Sequence, residues 1–186
     1  MAEVVLCSAS PRRRELLAEL CPRFRVCVTS KEEHSDYVRP HLRVMDLARG
    51  KLDGAQAAED DVVIASDTLV YRAGKYYGKP HTEAVAREML RELSGKSHSV
   101  YTGVAVRRGG ETRVFYDRAI VVFKALSDED IERYIAAYRP LDKAGAYGVQ
   151  DGVVVARYKG SYSCIMGLPT ERLGEVLQEM GVTNVQ

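Results

Sequence analysis

Apolar and polar positions along the chain change period several times, and each change marks an element. Val4-Val5-Leu6-Cys7 is a short apolar run of buried-strand type, and leucines at 16, 17 and 20 then give Pro11–Leu20 one helical face. Pro11 suits a first helical turn, where its missing N–H costs nothing. A short strand is expected near Phe24–Thr29 and a second helix over His41–Ala58, weakened by Gly50 and Gly54. Val62–Ser66 reads as a buried strand that Asp67–Tyr71 continues. Gly74 then marks a turn and Tyr76–Gly78 the returning strand, ended by Lys79-Pro80. Glu83–Leu93 carries a helical stripe, with Thr82 as its N-cap and Gly95 just past its end. Two longer strands, about Ser97–Arg107 and Thr112–Lys124, flank the hairpin signal Gly109-Gly110. Ser127-Asp-Glu-Asp130 opens a helix in the manner of a capping box, and Pro140 closes it. Beyond the loop LDKAGAYGVQDG (141–152), strands are expected at Val153–Tyr158 and about Ser161–Met166, then a helix over Pro169–Met180 stopped by Gly181. Strands and helices alternate, with hairpins among them, which places the chain in the α/β class with a mixed sheet. With no repeat or linker, residues 1–186 are expected to form one domain.

Charge narrows the function classes. The 27 basic and 26 acidic residues nearly cancel, which disfavours nucleic acid or an anionic membrane as a partner. Any anion site must be local, built from a few converging cations. The start MAEVVLC lacks the features of a signal peptide, no apolar run reaches membrane-span length, and the four cysteines lack C-x-x-C spacing. A cytoplasmic protein with reduced thiols is expected.

Three consecutive arginines, Arg12 to Arg14, occupy the first turn of the first expected helix, where the dipole disfavours positive charge. On a helical wheel Arg13 falls within roughly 20° of the centre of the Leu16/Leu17/Leu20 stripe. It therefore points along the buried face, at the strand-to-helix edge where α/β sheets bind ligands. A phosphate there would reverse the dipole penalty, with Ser8 and Ser10 as hydroxyl donors; a solvated arginine run is the plainer alternative. Lys51 shares a helix face with Leu47, Ala48 and Ala55, and either snorkels outward or is held for a partner. Asp67 interrupts an apolar strand, where an ionised carboxylate needs a partner or a metal. Lys79 follows a hairpin that could fold it back toward Asp67, or simply solubilises a strand end. Glu32-Glu33 is an ordinary acidic loop alone; beside Asp67 it is a candidate for Mg²⁺, which takes one or two carboxylates plus substrate phosphates. Two motifs fail. Ser94-Gly95-Lys96-Ser97 is no P-loop, because Leu90 stands where the first glycine belongs, and Gly145-Ala-Tyr-Gly148 has no strand–turn–helix around it.

Six ordered segments together resemble the Maf family of nucleoside triphosphate pyrophosphatases. They are Ser8-Ala-Ser10-Pro-Arg-Arg13, Ser66-Asp67-Thr68, Gly78-Lys79-Pro80, Leu93-Ser94-Gly95, Asp142-Lys-Ala-Gly-Ala-Tyr-Gly-Val-Gln150 and Met166-Gly-Leu-Pro169. The resemblance runs from about Val4 to Met180. It implies a long mixed, curved sheet flanked by helices in two lobes with a central cleft, like that of inosine triphosphate pyrophosphatases. It also implies hydrolysis of a nucleoside triphosphate to the monophosphate and pyrophosphate with a divalent metal, Mg²⁺ or Mn²⁺, by a chain that commonly forms homodimers. By the same resemblance Arg13, Lys51 and Lys79 contact phosphates, Asp67 orients or deprotonates the attacking water, and Glu33 helps hold the metal. Asp67 as metal ligand with Glu33 as base is the alternative. The base-reading positions fall on Arg12, Thr68, Lys143 and Gln150, a set similar to the branch acting on dTTP and UTP. One departure is Gly50, where the family usually has a polar residue before the lysine. The expected function is dTTP/UTP pyrophosphatase; the other reading is a nucleotide-binding regulator of cell division with little turnover.

Overall fold

The structure, a computed structural model, describes residues 3–29, 34–182 and 185. The strands are β1 (Val4–Cys7), β2 (Arg25–Cys27), β3 (Val62–Arg72), β4 (Lys75–Tyr77), β5 (Ser97–Arg108), β6 (Glu111–Phe123) and β7 (Val155–Lys159). They form one seven-stranded sheet in the order β2-β1-β3-β5-β6-β7, with β4 pairing β3. β1 runs parallel to β2 and β3; every other pair is antiparallel. The helices are α1 (Pro11–Leu20), α2 (Pro40–Asp53), α3 (Glu83–Leu93), α4 (Asp128–Tyr138), α5 (Tyr162–Met166) and α6 (Thr170–Glu179). None among the described residues is long and apolar enough to cross a membrane.

The two-residue period of the strands divides the interior into two cores. Val5 and Cys7 of β1, Val63 and Ala65 of β3 and Ala105 of β5 pack with Ala48 and Leu52 of α2. The intervening Leu6, Val62, Ile64, Val104 and Val106 join the larger core with α1, α3, α4, α5 and α6. Helices thus cover both faces, which is why β1 and the start of β3 are apolar throughout. α2 lies so close to the sheet that a Cβ on Gly103 would collide with the Val44 carbonyl group.

Several boundaries move for local reasons. α2 stops at Asp53, not Ala58, because Gly54 takes the C-cap and donates its N–H to Lys51 and Leu52 carbonyls. The segment expected as a strand at Ser161–Met166 is the short helix α5. Ser161 caps it by accepting from Cys164 N–H, and Gly167 ends it at φ +108°. Its apolar Cys164-Ile165-Met166 is too short for periodicity to separate a strand from a buried helix. Thr82 and the Ser127/Asp130 capping box do occupy their expected helix starts.

Candidate active site

The register of β3 creates the site. On one edge β3 pairs with β1 as far as Ala65, opposite Cys7, and with β4 only from Val70 onward. Ser66, Asp67, Thr68 and Leu69 lie in the gap, so their edge of the sheet opens into a cleft of about 790 Å³, within the usual range for small-molecule sites. Strand alternation then divides their side chains. Asp67 follows Ala65 toward α2, while Ser66 and Thr68 follow Ile64 toward α1 and α5.

On the α2 side, Lys51 Nζ donates to Asp67 Oδ1 at 2.7 Å and to the Ser66 carbonyl at 3.2 Å. Both side chains are about one-tenth exposed, at 11% and 10%. Of the two alternatives for the stripe lysine, the structure shows the held one, and the partner is the strand carboxylate Asp67. Arg43 and Leu47 share that helix face at intervals of four and also line the cleft. Sequence reasoning misses Arg43 although that spacing marks it; its guanidinium lies 5.1 Å from the Tyr76 ring centroid.

On the other side, Arg13 emerges from the first turn of α1, whose N-cap Ser10 makes no side-chain cap and whose first turn holds no acidic residue. Its Nε donates to the Gly167 carbonyl at 2.8 Å, its Nη2 to Thr68 Oγ1 at 3.0 Å and its Nη1 toward Ser8 Oγ at 3.5 Å. Ser66 Oγ donates to the same Gly167 carbonyl at 2.8 Å. Ser8 Oγ also accepts from Ser10 N–H at 3.2 Å, tightening the loop between β1 and α1. Gly167 is required here: a Cβ at its φ of +108° would lie 3.2 Å from both Arg13 Nε and Thr68 Oγ1.

The remaining expected residues line the same cleft. Arg12 is half-buried and Lys79 exposed. Gly145 N–H donates to the Gly78 carbonyl at 3.1 Å, tying the Lys79 turn to the loop that carries Lys143 and Gln150. That loop is anchored beneath by Tyr134, whose hydroxyl donates to Asp151 Oδ2 at 2.5 Å and accepts from Gly148 N–H at 3.0 Å. A Cβ on Gly148 would come within 2.8 Å of Gln150 Oε1, so glycine lets Gln150 fold back over the loop. Ser8, Ser10, Arg12, Arg13, Lys51, Asp67, Thr68, Lys79, Lys143 and Gln150 thus surround one space. Glu33 lies outside the described residues. Cys7 also lines the cleft, but burial and its neighbour Cys27 push its thiol up to about 12, which leaves it protonated and unreactive at neutral pH.

Among the described residues no group of three His, Cys, Asp or Glu side chains forms a metal cage. Asp67 Oδ1 is taken by Lys51, and its Oδ2 makes no hydrogen bond to them. One carboxylate oxygen beside converging cations fits a hard divalent ion held chiefly by substrate phosphates.

A family model described as Maf-like protein matches residues 3–180. A protein named dTTP/UTP pyrophosphatase from Bacillus cereus (strain AH187) is 41% identical, across 98% of this chain and 97% of its own. Its namesake from Bacillus anthracis (strain CDC 684 / NRRL 3495) is 40% identical over the same shares. Among solved structures, a HAM1 protein from Coxiella burnetii superposes with a TM-score of 0.50 at 17% identity, covering 96% of this chain and all of that one. At that identity the likeness concerns the fold alone.

Proposed function

The chain belongs to the Maf family, and from that premise we propose that it is a nucleoside triphosphate pyrophosphatase acting on dTTP and UTP. The observation that carries the reading is the Lys51–Asp67 pair at 2.7 Å in the gap of β3, in one cleft with Arg13 and Lys79. Lys51 fixes Asp67 through Oδ1. Oδ2 then takes a proton from a water whose oxygen attacks the α-phosphorus. As that bond forms, the bond from the α-phosphorus to the bridging oxygen breaks, and pyrophosphate leaves carrying that oxygen. Arg13, Lys51 and Lys79 spread the charge that accumulates on the phosphate oxygens, the main task in phosphoryl-type transfer. A divalent cation, Mg²⁺ or Mn²⁺, held chiefly by the substrate phosphates would supply further charge neutralisation; were Asp67 Oδ2 its ligand, Glu33 would be the base instead. Arg12, Thr68, Lys143 and Gln150 would read the base; the Gln150 amide offers both a donor and an acceptor to a uracil-type edge.

The test is pyrophosphate release from a panel of nucleoside triphosphates with Mg²⁺ or Mn²⁺, wild type beside Asp67→Asn. Removing a general base lowers kcat by about 10²-fold or more, with dTTP and UTP the preferred substrates of the wild type. Equal activity in Asp67→Asn would remove Asp67 from the mechanism. Nucleotide binding without turnover in the wild type would replace the enzyme by a binding regulator.

A further inference from the structure

Thr102 is fully buried in the middle of β5 and does not line the cleft. It faces Thr68 across the β3–β5 ladder, and the two Oγ1 atoms are 3.0 Å apart. Thr102 Oγ1 is also 2.8 Å from the Cys164 carbonyl oxygen, and Thr68 Oγ1 is 3.0 Å from Arg13 Nη2. The chemistry of the two ends fixes the direction of every bond between them. A guanidinium can only donate and a carbonyl can only accept, while each hydroxyl carries one proton. Thr102 spends its proton on Cys164, so the proton shared by the threonines comes from Thr68. For all three contacts to be hydrogen bonds, the chain must run from Arg13 to Thr68, to Thr102, to the Cys164 carbonyl.

Building on the reading in which Arg13 grips phosphate, we propose that Thr102 is a positioning residue for catalysis, holding the Thr68 hydroxyl as the acceptor that orients the Arg13 guanidinium. The same direction restricts Thr68: its one proton points into the protein, so toward a nucleotide it can accept but not donate. Gly167, at the far end of α5, receives Arg13 Nε. The guanidinium plane is thus fixed from two sides, by a carbonyl on Nε and by the threonine chain on Nη2.

Two substitutions separate this role from packing. Thr102→Val keeps the volume and removes the hydroxyl; Thr102→Ser keeps the hydroxyl and removes a methyl. Packing alone would make serine the worse replacement. Positioning makes valine the worse, with kcat for dTTP lowered about 10-fold, as expected from a misplaced charge, and serine close to wild type. A second readout needs no nucleotide. Hydrogen exchange at the Arg13 Nη2–H, the proton donated to Thr68, followed by NMR, should be slow in wild type and in Thr102→Ser, and fast in Thr102→Val. Unchanged kcat and unchanged Nη2–H protection in Thr102→Val would overturn the inference. If Thr102→Val does not fold, a folded Thr102→Ser with lost protection overturns it equally. A wild type that hydrolyses no nucleotide would sink the enzymatic reading, while the exchange measurement still decides whether Thr102 holds Arg13.

Discussion

One buried imidazole, His98, should make this protein lose stability in acid. His98 in β5 is 3% exposed and packs edge-on against Phe123 and Tyr147, at centroid separations of 5.0 and 5.3 Å. Its Nε2 meets the Tyr147 hydroxyl at 2.8 Å, and its Nδ1 has no partner among the described residues. Burial first, and the Arg72 guanidinium second, lower its pKa from 6.5 to about 4. Between those values the unfolded chain takes up a proton that the native ring refuses, so folding loses ground as pH falls. The contribution is whole above pH 6.5, declines through that window and is spent near pH 4. At about 1.4 kcal/mol per pH unit the window is worth about 3 kcal/mol, a large part of a stability that is typically about 5–15 kcal/mol. Urea unfolding across the window, wild type beside His98→Phe, isolates the effect. The variant loses a hydrogen bond and starts less stable, but its stability should fall less steeply with acid by about that amount. Parallel curves for the two proteins would refute the assignment.

Lys51→Met strands the Asp67 carboxylate, which is one-tenth exposed at its side chain. It should cost about 3 kcal/mol in denaturant unfolding as well as activity, and adding Asp67→Asn should return much of the stability but none of the activity. Gly103→Ala drives a methyl against the Val44 carbonyl and should lower stability by about 3 kcal/mol through forced separation of α2 from the sheet, seen as a lower thermal midpoint.

Elements with long periodic patterns or explicit punctuation are legible in the sequence. The α3 stripe between Thr82 and Gly95, the Ser127 capping box and the Gly109-Gly110 hairpin each combine a repeat with a stop signal. Short segments with neither are not: α5 is five residues long, and its helical state depends on Ser161 and Gly167 acting together with burial. In the site, Asp67 is visible because a carboxylate breaks an apolar run, and Lys51 because a cation breaks an apolar stripe. Their contact is not visible, since it depends on β1 ending opposite Ala65 and leaving the next residues of β3 uncovered. Thr102 gives no signal at all. A threonine within a strand is ordinary, and only the cross-strand register places its hydroxyl between Thr68 and Cys164.

Arginines at the positive end of α1 have a physical answer in where one of them goes. The dipole penalty is about 0.3–1 kcal/mol for a charge in the first turn. Hydrogen bonds to a charged group contribute about 1.5–3 kcal/mol each, and Arg13 makes two short ones, to Gly167 and Thr68. They offset the dipole without any bound anion, so the Arg13 guanidinium is in place before a nucleotide arrives. A cation set in advance costs no reorganisation when charge develops in the transition state, which is what makes such groups effective. Arg12 and Lys79 differ: both line the cleft, and neither side chain makes a hydrogen bond or ion pair to a described residue. In the proposed reaction their side chains would be ordered by the nucleotide itself, and that ordering would draw on binding energy. The division follows from connectivity. Arg13 reaches across to a strand and to the end of α5, whereas Arg12 and Lys79 reach only into the cleft, so Arg13 belongs to the rigid frame and the other two to the closing contacts.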